Sequence, residues 1–368
     1  VARLERLDLH EPAEGEPDEA VFGLFASVLR FDHKRQVVLL VHNVLLDGTR
    51  SVEDAYNDGR KALEAMELKF LRSVSSSQPF SCDMDARTES TGRDGYCAAV
   101  ERAKRYISEG DIFQVVVSRR VTIPYSGDLF AVYRALRMIN PSPYLFHIDF
   151  GETQLAGSSP EVLVRVTGGI VEVLPIAGTR PRGESEEEDL QMEEDLLHDE
   201  KELAEHVMLV DLGRNDVGRI SRFGSVHVPV FKRVERYSHV MHIVSEVRGT
   251  LKEGSGALAA LKSCFPAGTV SGAPKVRAMQ IINELEPVSR GVYAGAVGYL
   301  AFNGSLDTCI AIRTIVGHRG TLSIQAGAGI VADSVPANEF SETLNKSRAL
   351  LEAVRSAAGG LKTLGARD

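Results

Sequence analysis

The sequence predicts an α+β fold with largely antiparallel sheets, and three observations support this class. Strand-like and amphipathic helical segments alternate irregularly along the 368 residues, without repeated strand–helix–strand units. Short turns at Gly168-Gly169, Asn303-Gly304 and Arg319-Gly320 join neighbouring strand-like runs, as expected for hairpins. A composition of 43% hydrophobic and 25% charged residues indicates a globular chain with one large or two medium domains. We therefore expect antiparallel sheets and not a doubly wound parallel sheet.

The first ninety residues are expected to form a small region followed by a linker. Glu19 to Leu29 has a helical pattern, Arg35 to Leu46 is rich in β-branched and leucine residues, and 51–72 is amphipathic with helical periodicity. The next twenty residues are rich in Ser, Asp and Thr without an apolar period. We predict an N-terminal region over 1–72 and a linker over 73–92.

A second unit begins near Arg93 with a helix to Glu109 and the β-run IFQVVVSRRVTI. We assign its domain to 93–357 and a C-terminal tail to 358–368. Further predicted helices cover 128–139, 186–213, 256–263, 274–285 and 336–357, and predicted strands lie near 144–150, 153–157, 161–167, 170–174, 226–231, 239–248, 292–302, 305–316 and 321–331.

Composition excludes several classes of protein. No apolar run approaches the roughly 18 to 20 residues that cross a bilayer, and the N-terminal stretch has no signal-peptide core. A net charge of −9 argues against a surface built for nucleic acid. Because neither a membrane span nor a signal-peptide core is present in the sequence, we expect a cytosolic protein. The four cysteines lie far apart and lack CxxC spacing, so we expect reduced thiols and no zinc site.

Two carboxylate pairs share one spacing, Glu202 with Glu205 and Glu339 with Glu342. Residues i and i+3 share one helix face, so each pair presents two carboxylates together. Two such helices facing each other would suit Mg²⁺, which takes a few carboxylates and keeps some water. The alternative is ordinary solvated helix surface.

Four further features are each open to two interpretations. The glycine-rich segment around Lys275 lacks Walker A spacing, and it is either an anion-binding turn or the plain start of a helix. Gly327-Ala328-Gly329 either admits a ligand carboxylate or is a strand bulge. Arg313, within the apolar run CIAIRTIV, is either a buried clamp for an anion or reaches solvent, and His242 is either functional or a half-buried packing residue.

Ten segments together resemble the chorismate-utilising enzymes, most of all the large components of anthranilate synthases. These segments are DIFQVVVSRR, PSPYLF, GSSPEVLVRV, PIAGTRPRG, EKELAEHVMLVDLGRND, YSHVMH, FPAGTVSGAPKVRAMQIINELE, GVYAGAVGYL, IQAGAGIVADSVPANEFSET and NKSRALL. The similarity runs from about Arg93 to Leu351. The resemblance implies large antiparallel sheets packed as a sandwich with helices outside, and it implies that the first half of the family's N-terminal region is absent from this chain.

The resemblance assigns roles to single residues. Glu205 and Glu342 match ligands of Mg²⁺, the cofactor that neutralises a substrate carboxylate, with Glu202 and Glu339 beside them. Glu161 matches the acid that protonates the departing C4 hydroxyl, His242 the histidine of pyruvate loss, and Thr269 a residue of the catalytic turn. The residues that match groups around the substrate carboxylates are Tyr293, Arg313, Gly327, Ala328, Gly329 and Lys346.

Two positions distinguish the reactions of this family. Gln114 stands where enzymes that add water have a lysine base, and Ala177 stands where aminodeoxychorismate synthases usually have a nucleophilic lysine. Free ammonia is then the expected nucleophile. The implied reaction, the first step of tryptophan biosynthesis, converts chorismate and ammonia into anthranilate and pyruvate.

The resemblance also implies a partner and a regulator. The chain has no plausible glutaminase cysteine site, so a separate glutamine amidotransferase small subunit would supply ammonia within a hetero-oligomer. The segment Asn140, Pro141, Ser142, Pro143 and Tyr144 resembles a loop that binds tryptophan as feedback inhibitor. Three alternatives remain open: an aminodeoxychorismate synthase component, a catalytically silent chorismate-binding subunit, and a chain left unstable by the missing N-terminal part.

Overall fold

A computed structural model describes residues 19–72, 78–237 and 240–360. The chain divides into two compact units, the smaller within Asp18–Gln78 and the larger from Pro79 onward. In the smaller unit, strands β1 (Ser27–Asp32) and β2 (Val37–His42) pair antiparallel, and helix α1 (Val52–Arg72) follows. The helix predicted over 19–29 is wrong, because residues 27–32 pair with the Val- and Leu-rich strand β2 and this pairing overrides local propensity.

The larger unit contains fifteen further strands and seven α-helices among its described residues. The strands are β3 (Ser81–Cys82), β4 (Thr88–Glu89), β5 (Gln114–Ser126), β6 (Tyr144–Asp149), β7 (Thr153–Ser159), β8 (Val162–Thr167), β9 (Ile170–Val173), β10 (Ile176–Pro181), β11 (His227–Arg236), β12 (Val240–Thr250), β13 (Gly272–Ala273), β14 (Ala296–Leu300), β15 (Leu306–Ile310), β16 (Thr314–His318) and β17 (Thr321–Ile330). The helices are α2 (Arg93–Ser108), α3 (Phe130–Ile139), α4 (Glu186–His198), α5 (Glu200–Ile220), α6 (Ala257–Cys264), α7 (Lys275–Leu285) and α8 (Pro336–Ala358), and a single 3₁₀ turn spans Gly268–Val270.

These strands form two antiparallel sheets, which confirms the predicted fold class. The eight-stranded sheet runs β13-β5-β17-β16-β7-β6, with β3 and β4 also pairing with β5. The seven-stranded sheet runs β10-β12-β9-β8-β15-β14, with β11 beside β12. The three predicted hairpins at Gly168-Gly169, Asn303-Gly304 and Arg319-Gly320 connect β8 to β9, β14 to β15 and β16 to β17.

Helices cover the sheets while a small apolar cluster lies where the sheets meet. Helices α3 and α8 pack on the eight-stranded sheet around Leu136 and Val354, and α5 and α6 pack on the seven-stranded sheet around Val217. Between the sheets lie Leu155 of β7 and Cys309 of β15, together with Ala311. Burial of these apolar faces is the main favourable term that holds the layers together.

Three local predictions are corrected by the structure. The helix predicted over 186–213 is two helices, because Asp199 is in an extended conformation and its carboxylate accepts hydrogen bonds from the first backbone N–H groups of α5. The strand predicted over 305–316 is also divided, into β15 and β16 of different sheets. The expectation of irregular structure in the predicted linker over 73–92 is wrong for its described residues, because they bury Phe80 and pair β3 and β4 with β5.

Three general expectations remain: the reduced state of the cysteines, the absence of a membrane-spanning segment, and the domain boundaries. All four cysteines are free thiols, as predicted. In the part of the chain that the structure describes, no helix is both long and apolar enough to span a bilayer. The start of the predicted linker and most of the predicted tail over 358–368 lie outside the described residues, so the domain boundaries stay a prediction.

Candidate active site

Two neighbouring strand connections cross from one sheet to the other and carry Glu161 and Arg313. Glu161 lies between β7 and β8, and Arg313 lies between β15 and β16. Because β16 pairs with β7 and β15 pairs with β8, both connections cross at the same place. The Ile310 N–H donates to the Glu161 carbonyl oxygen at 3.0 Å, and the Ser158 N–H donates to the Arg313 carbonyl oxygen at 3.0 Å. The fold therefore brings the carboxyl group of Glu161 and the cationic side chain of Arg313 together at the junction of the sheets.

The Glu161 carboxyl has the chemistry of an acid that is protonated near neutral pH. Burial raises its pKa to about 7, against opposing effects from contact with the Thr269 hydroxyl and from the positive charges of Lys346 and Arg313. Thr269 Oγ1 is buried and makes no well-formed hydrogen bond with a described residue. Both side chains line a cavity of about 50 Å³, whose wall also includes Leu212 and Asp216 of α5. The cavity has room for a few water-sized molecules beside the acid.

Arg313 adopts an unusual backbone conformation at the sheet crossing. Its φ is +47°, in the left-handed region that a non-glycine residue seldom occupies. Burial lowers the pKa of its guanidinium, and the Glu161 charge opposes this shift. The interpretation as a strand residue is therefore wrong, because strand β15 ends at Ile310 and Arg313 turns the chain into the second sheet. A mostly buried guanidinium without an ion-pair partner in the described ranges suits a planar anion.

His242 lies on β12 with one ring nitrogen engaged. Its Nδ1 is 2.9 Å from the Gly178 carbonyl oxygen and 3.1 Å from the Thr179 hydroxyl. Because a carbonyl only accepts, Nδ1 carries the proton and Nε2 is left as an acceptor. Burial lowers the histidine pKa, the Gly178 carbonyl opposes this effect, and the Arg313 charge adds to it. The imidazole is therefore neutral at pH 7, with Arg313 near enough to influence both His242 and Glu161.

The glycine segment of β17 forms another wall of the site. Gly327 is buried and Gly329 is half-buried, and they lie opposite Ser118 and Val116 of β5 respectively. A Cβ at Gly327 would lie 2.9 Å from the Tyr293 hydroxyl, so this position requires glycine. Lys346 of α8 donates from Nζ to the Gly327 carbonyl oxygen at 2.9 Å. Tyr293, Lys346 and the glycine backbone therefore lie together, with Ala328 packed into the core behind them.

The four glutamates lie in two pairs on α5 and α8. Burial, then the charge of Glu205, raises the pKa of Glu202, and burial raises that of Glu339, with the neighbouring Glu342 adding to the effect. The Lys201 charge lowers the pKa of Glu339, so the first turn of α5 lies within electrostatic reach of α8. Glu342 also pairs with Lys346 at 2.6 Å.

Carboxylate oxygens are the ligands that Mg²⁺ prefers, so the donor set fits this ion chemically. In residues 19–72, 78–237 and 240–360, however, no three His, Cys, Asp or Glu side chains converge closely enough to hold a metal as they stand. The metal assignment of Glu202, Glu205, Glu339 and Glu342 therefore stays a prediction.

The two predicted specificity positions lie near the other site residues. Gln114 is 5% exposed, and its Nε2 donates to Glu205 Oε1 at 3.3 Å while its Oε1 makes no hydrogen bond within the described ranges. A Cβ at Gly329 would lie 2.6 Å from Gln114 Nε2, so the amide fills the space beside the glycine strand. Ala177 of β10 is buried and pairs with Ile243, next to His242.

The predicted regulatory segment begins at the end of α3. The Ser158 hydroxyl donates to the Asn140 carbonyl oxygen, and the Tyr144 hydroxyl donates to Asp307 Oδ1 at 2.6 Å. Arg165 donates to the same Tyr144 hydroxyl at 2.9 Å. This segment lies against strands β7 and β15, and its role in tryptophan binding stays a prediction.

Sequence reasoning missed two buried ion pairs. Lys275 pairs with Asp216 at 2.7 Å, so its ammonium is occupied and the glycine-rich segment is the start of a helix rather than a phosphate loop. Arg290 pairs with Glu286. Their i, i+4 spacing resembles a common surface pair, and only the tertiary packing shows that both are largely buried.

Comparison with known proteins identifies the family. A sequence profile of chorismate binding enzymes matches residues 1–352. The chain therefore belongs to the chorismate binding enzymes.

Named relatives agree with the expected similarity to anthranilate synthase large components. The chain is 50% identical over 347 residues to anthranilate synthase component 1 of Acetivibrio thermocellus, covering 92% of this chain and 70% of the relative. It is 53% identical over 319 residues to the component 1 protein of Pseudomonas aeruginosa, covering 85% of this chain and 65% of the relative. The crystal structure of anthranilate synthase component I from Streptococcus pneumoniae superposes with a TM-score of 0.75 at 43% identity, covering 89% of this chain and 72% of that one. The resemblance inferred from the sequence is confirmed.

Proposed function

We propose that this chain converts chorismate and ammonia into anthranilate, pyruvate and water, as the Mg²⁺-dependent component I of an anthranilate synthase. The observation that carries the proposal is Glu161, a partly buried carboxyl with a pKa of about 7 beside Thr269 and Arg313. The names of the relatives support the same activity. The chain covers 70% and 65% of the lengths of the two relatives described above. That it has the activity of these longer proteins is therefore part of the proposal.

Glu161 serves as the acid in the first half of the reaction. Ammonia attacks C2 of chorismate, the ring double bonds shift, and the C4 hydroxyl leaves as water after taking a proton from Glu161. Burial keeps that proton on the carboxyl near pH 7, where an ordinary glutamate would have lost it. Arg313, Lys346 and the Gly327 backbone bind the substrate carboxylates, because guanidinium and ammonium groups pair with carboxylates and glycine lets the backbone approach a ligand closely.

Ala177 and Gln114 restrict the nucleophile to free ammonia. The methyl group of Ala177 has no lone pair with which to attack C2. The Gln114 amide cannot remove a proton from water, but its Oε1 makes no hydrogen bond with a described residue and is able to accept one from ammonia. The product of the first half is therefore an aminated, not yet aromatic ring that retains the enolpyruvyl group.

His242 serves the second half of the reaction. Its Nδ1 donates to the Gly178 carbonyl, so the neutral ring presents Nε2 as a base. Removal of the C2 proton expels the enolpyruvyl group as pyruvate and makes the ring aromatic. The lowered pKa matters because a protonated imidazole could not accept this proton.

The carboxylates of α5 and α8 supply the metal site in this proposal. Glu205 and Glu342 would bind Mg²⁺ with Glu202 and Glu339 beside them, and the ion would neutralise a substrate carboxylate. Lys346 leaves its pair with Glu342 to reach substrate in this arrangement.

The ammonia source and the regulator extend the proposal beyond this chain. The names of the relatives call them component 1, which is consistent with a second component. We assign that partner as a glutamine amidotransferase, and we assign the segment from Asn140 to Tyr144 to tryptophan binding.

The proposed function is tested by the fluorescence of anthranilate formed from chorismate, ammonium and Mg²⁺. We expect wild-type protein to produce it, EDTA to stop it, and E161Q to abolish it while the circular dichroism spectrum stays unchanged. Folded wild-type protein that consumes no chorismate under these conditions would contradict the proposal.

A further inference from the structure

Arg290 makes hydrogen bonds from all three guanidinium nitrogens behind the candidate active site. Its Nε donates to Glu286 Oε2 at 2.9 Å and its Nη2 donates to Glu286 Oε1 at 2.6 Å. Nη1 donates to the Val270 carbonyl oxygen at 2.6 Å, and Nη2 also donates to the Val116 carbonyl oxygen at 2.7 Å. One side chain therefore joins the end of α7, the 3₁₀ turn and strand β5.

The partner carboxylate extends these contacts to the glycine wall. Glu286 is 4% exposed, and its Oε1 also accepts from the Ser118 backbone N–H at 2.7 Å and the Ser118 hydroxyl at 2.8 Å. Gln325 donates to the same Ser118 hydroxyl at 2.8 Å. Ser118 lies directly opposite Gly327 in the sheet register. The ion pair is thus fixed to the strand pair that carries the glycines.

Three segments that meet at Arg290 carry candidate site residues. Val270 follows Thr269, whose hydroxyl contacts Glu161. Tyr293 lies three residues after Arg290, its N–H donates to the Arg290 carbonyl oxygen at 3.1 Å, and the guanidinium carbon lies 5.4 Å from its ring centre. Val116 lies two residues from Gln114 on β5.

We infer that Arg290, held by Glu286, is a positioning residue that fixes Thr269 and Tyr293 for the reaction. This inference rests on the proposed function, since these two residues matter only if Glu161 and the glycine wall bind chorismate. Arg290 itself does not contact the reacting atoms. Its effect is exerted through the Val270 carbonyl on one side and through the Tyr293 ring on the other.

The geometry requires arginine in particular. Two edges of the planar guanidinium are used, one for the carboxylate and one for the two backbone carbonyls. A lysine keeps the charge but has no such fork, so it cannot bind Glu286 and the Val270 and Val116 carbonyls in the same arrangement. The R290K variant therefore separates positioning from mere neutralisation of Glu286.

The test compares R290K with a matched control, R248K, in the whole chain. Arg248 also pairs with two carboxylates, those of Glu172 at 2.6 Å and Glu246 at 2.8 Å, but these contacts involve no candidate site residue. Steady-state rates with chorismate, ammonium and Mg²⁺ are measured well below the melting temperature of every variant. We expect R290K to lower kcat by about 10- to 100-fold and to raise the KM for chorismate, because small displacements of positioning groups have effects of this size.

A double-mutant cycle with T269A identifies the route of the effect. If Arg290 acts through Thr269, the loss of kcat in R290K and T269A together is smaller than the product of the single losses. Wild-type kcat and KM in folded R290K, or equal kinetic changes in R290K and R248K, would overturn the inference while leaving the proposed function intact. So would fully multiplicative losses combined with an unchanged KM. A folded wild-type chain that neither converts chorismate nor binds it in calorimetric titration would instead overturn the proposed function, and this inference with it.

Discussion

Glu161 and Arg313 lie on adjacent connections that cross from one sheet to the other, and the charge of each side chain shifts the pKa of the other. The Arg313 charge moderates the raised pKa of Glu161, while the Glu161 charge opposes the lowering of the Arg313 pKa by burial. The Glu161 carbonyl oxygen accepts from the Ile310 N–H at the end of β15, and the Arg313 carbonyl oxygen accepts from the Ser158 N–H of β7, each at 3.0 Å. The Glu161 carboxyl and the Arg313 guanidinium are therefore positioned by the connections between the two sheets.

The acid role of Glu161 predicts a specific pH dependence. A pKa of about 7 means that the active, protonated fraction is nearly complete below pH 6 and falls tenfold per unit well above pH 7. We expect kcat at saturating chorismate, corrected for the rising fraction of unprotonated ammonia, to decline above pH 7. A corrected kcat that stays flat to pH 9 would contradict the assignment.

The metal assignment predicts loss of Mg²⁺ binding on removal of one carboxylate charge. We expect E205Q and E342Q each to weaken Mg²⁺ binding at least tenfold in calorimetric titrations and to abolish activity with the fold intact. E200Q, at an exposed position of the same helix α5, serves as the matched control and should bind Mg²⁺ normally. Unchanged Mg²⁺ affinity in both site variants would remove these residues from the metal site.

The specificity role of Gln114 predicts altered products in Q114K. Burial at this position lowers the pKa of a lysine, whereas Glu205 at 3.3 Å from the present amide opposes that shift. We expect a loss of anthranilate and a small amount of isochorismate that increases with pH, as the neutral lysine becomes available to activate water. Chromatography of the products decides this, and isochorismate formed by wild-type protein would show that Gln114 does not exclude water.

The division of labour between Glu161 and His242 predicts different intermediates. We expect H242M to slow pyruvate loss more than amination, so that the aminated, non-aromatic intermediate accumulates. E161Q should instead leave chorismate unconsumed. Both reactions are followed by chromatography with ammonium as nitrogen source. If H242M reduces chorismate consumption as strongly as E161Q and no intermediate appears, His242 does not have a separate role.

The fold class and the grouping of most candidate residues in one site could both be predicted from the sequence, for different reasons. Hairpin turns such as Gly168-Gly169 are local signals, and they correctly indicated antiparallel sheets. The assignment of Glu161, His242 and Thr269 to one region came from the family resemblance, because these residues are more than one hundred positions apart at the extremes and no periodicity relates them.

Other features could not be predicted because they depend on long-range packing. The run CIAIRTIV has a continuous strand pattern, yet the pairing of β15 with β8 and of β16 with β7 divides it at Arg313. The segment 186–213 has one helical pattern, but Asp199 begins a new helix. Glu286 and Arg290 have the spacing of a surface ion pair, and only the tertiary structure places Ser118, Val116 and Val270 around them.

The most direct test of the account is the stoichiometry of products formed by the purified chain. Chorismate, ammonium and Mg²⁺ are incubated with the protein, and anthranilate and pyruvate are quantified in the same sample. The account predicts equal amounts of the two products, matching the chorismate consumed, with only traces of any amine that retains the enolpyruvyl group. Accumulation of aminodeoxychorismate or isochorismate in place of anthranilate, without pyruvate release, would contradict it.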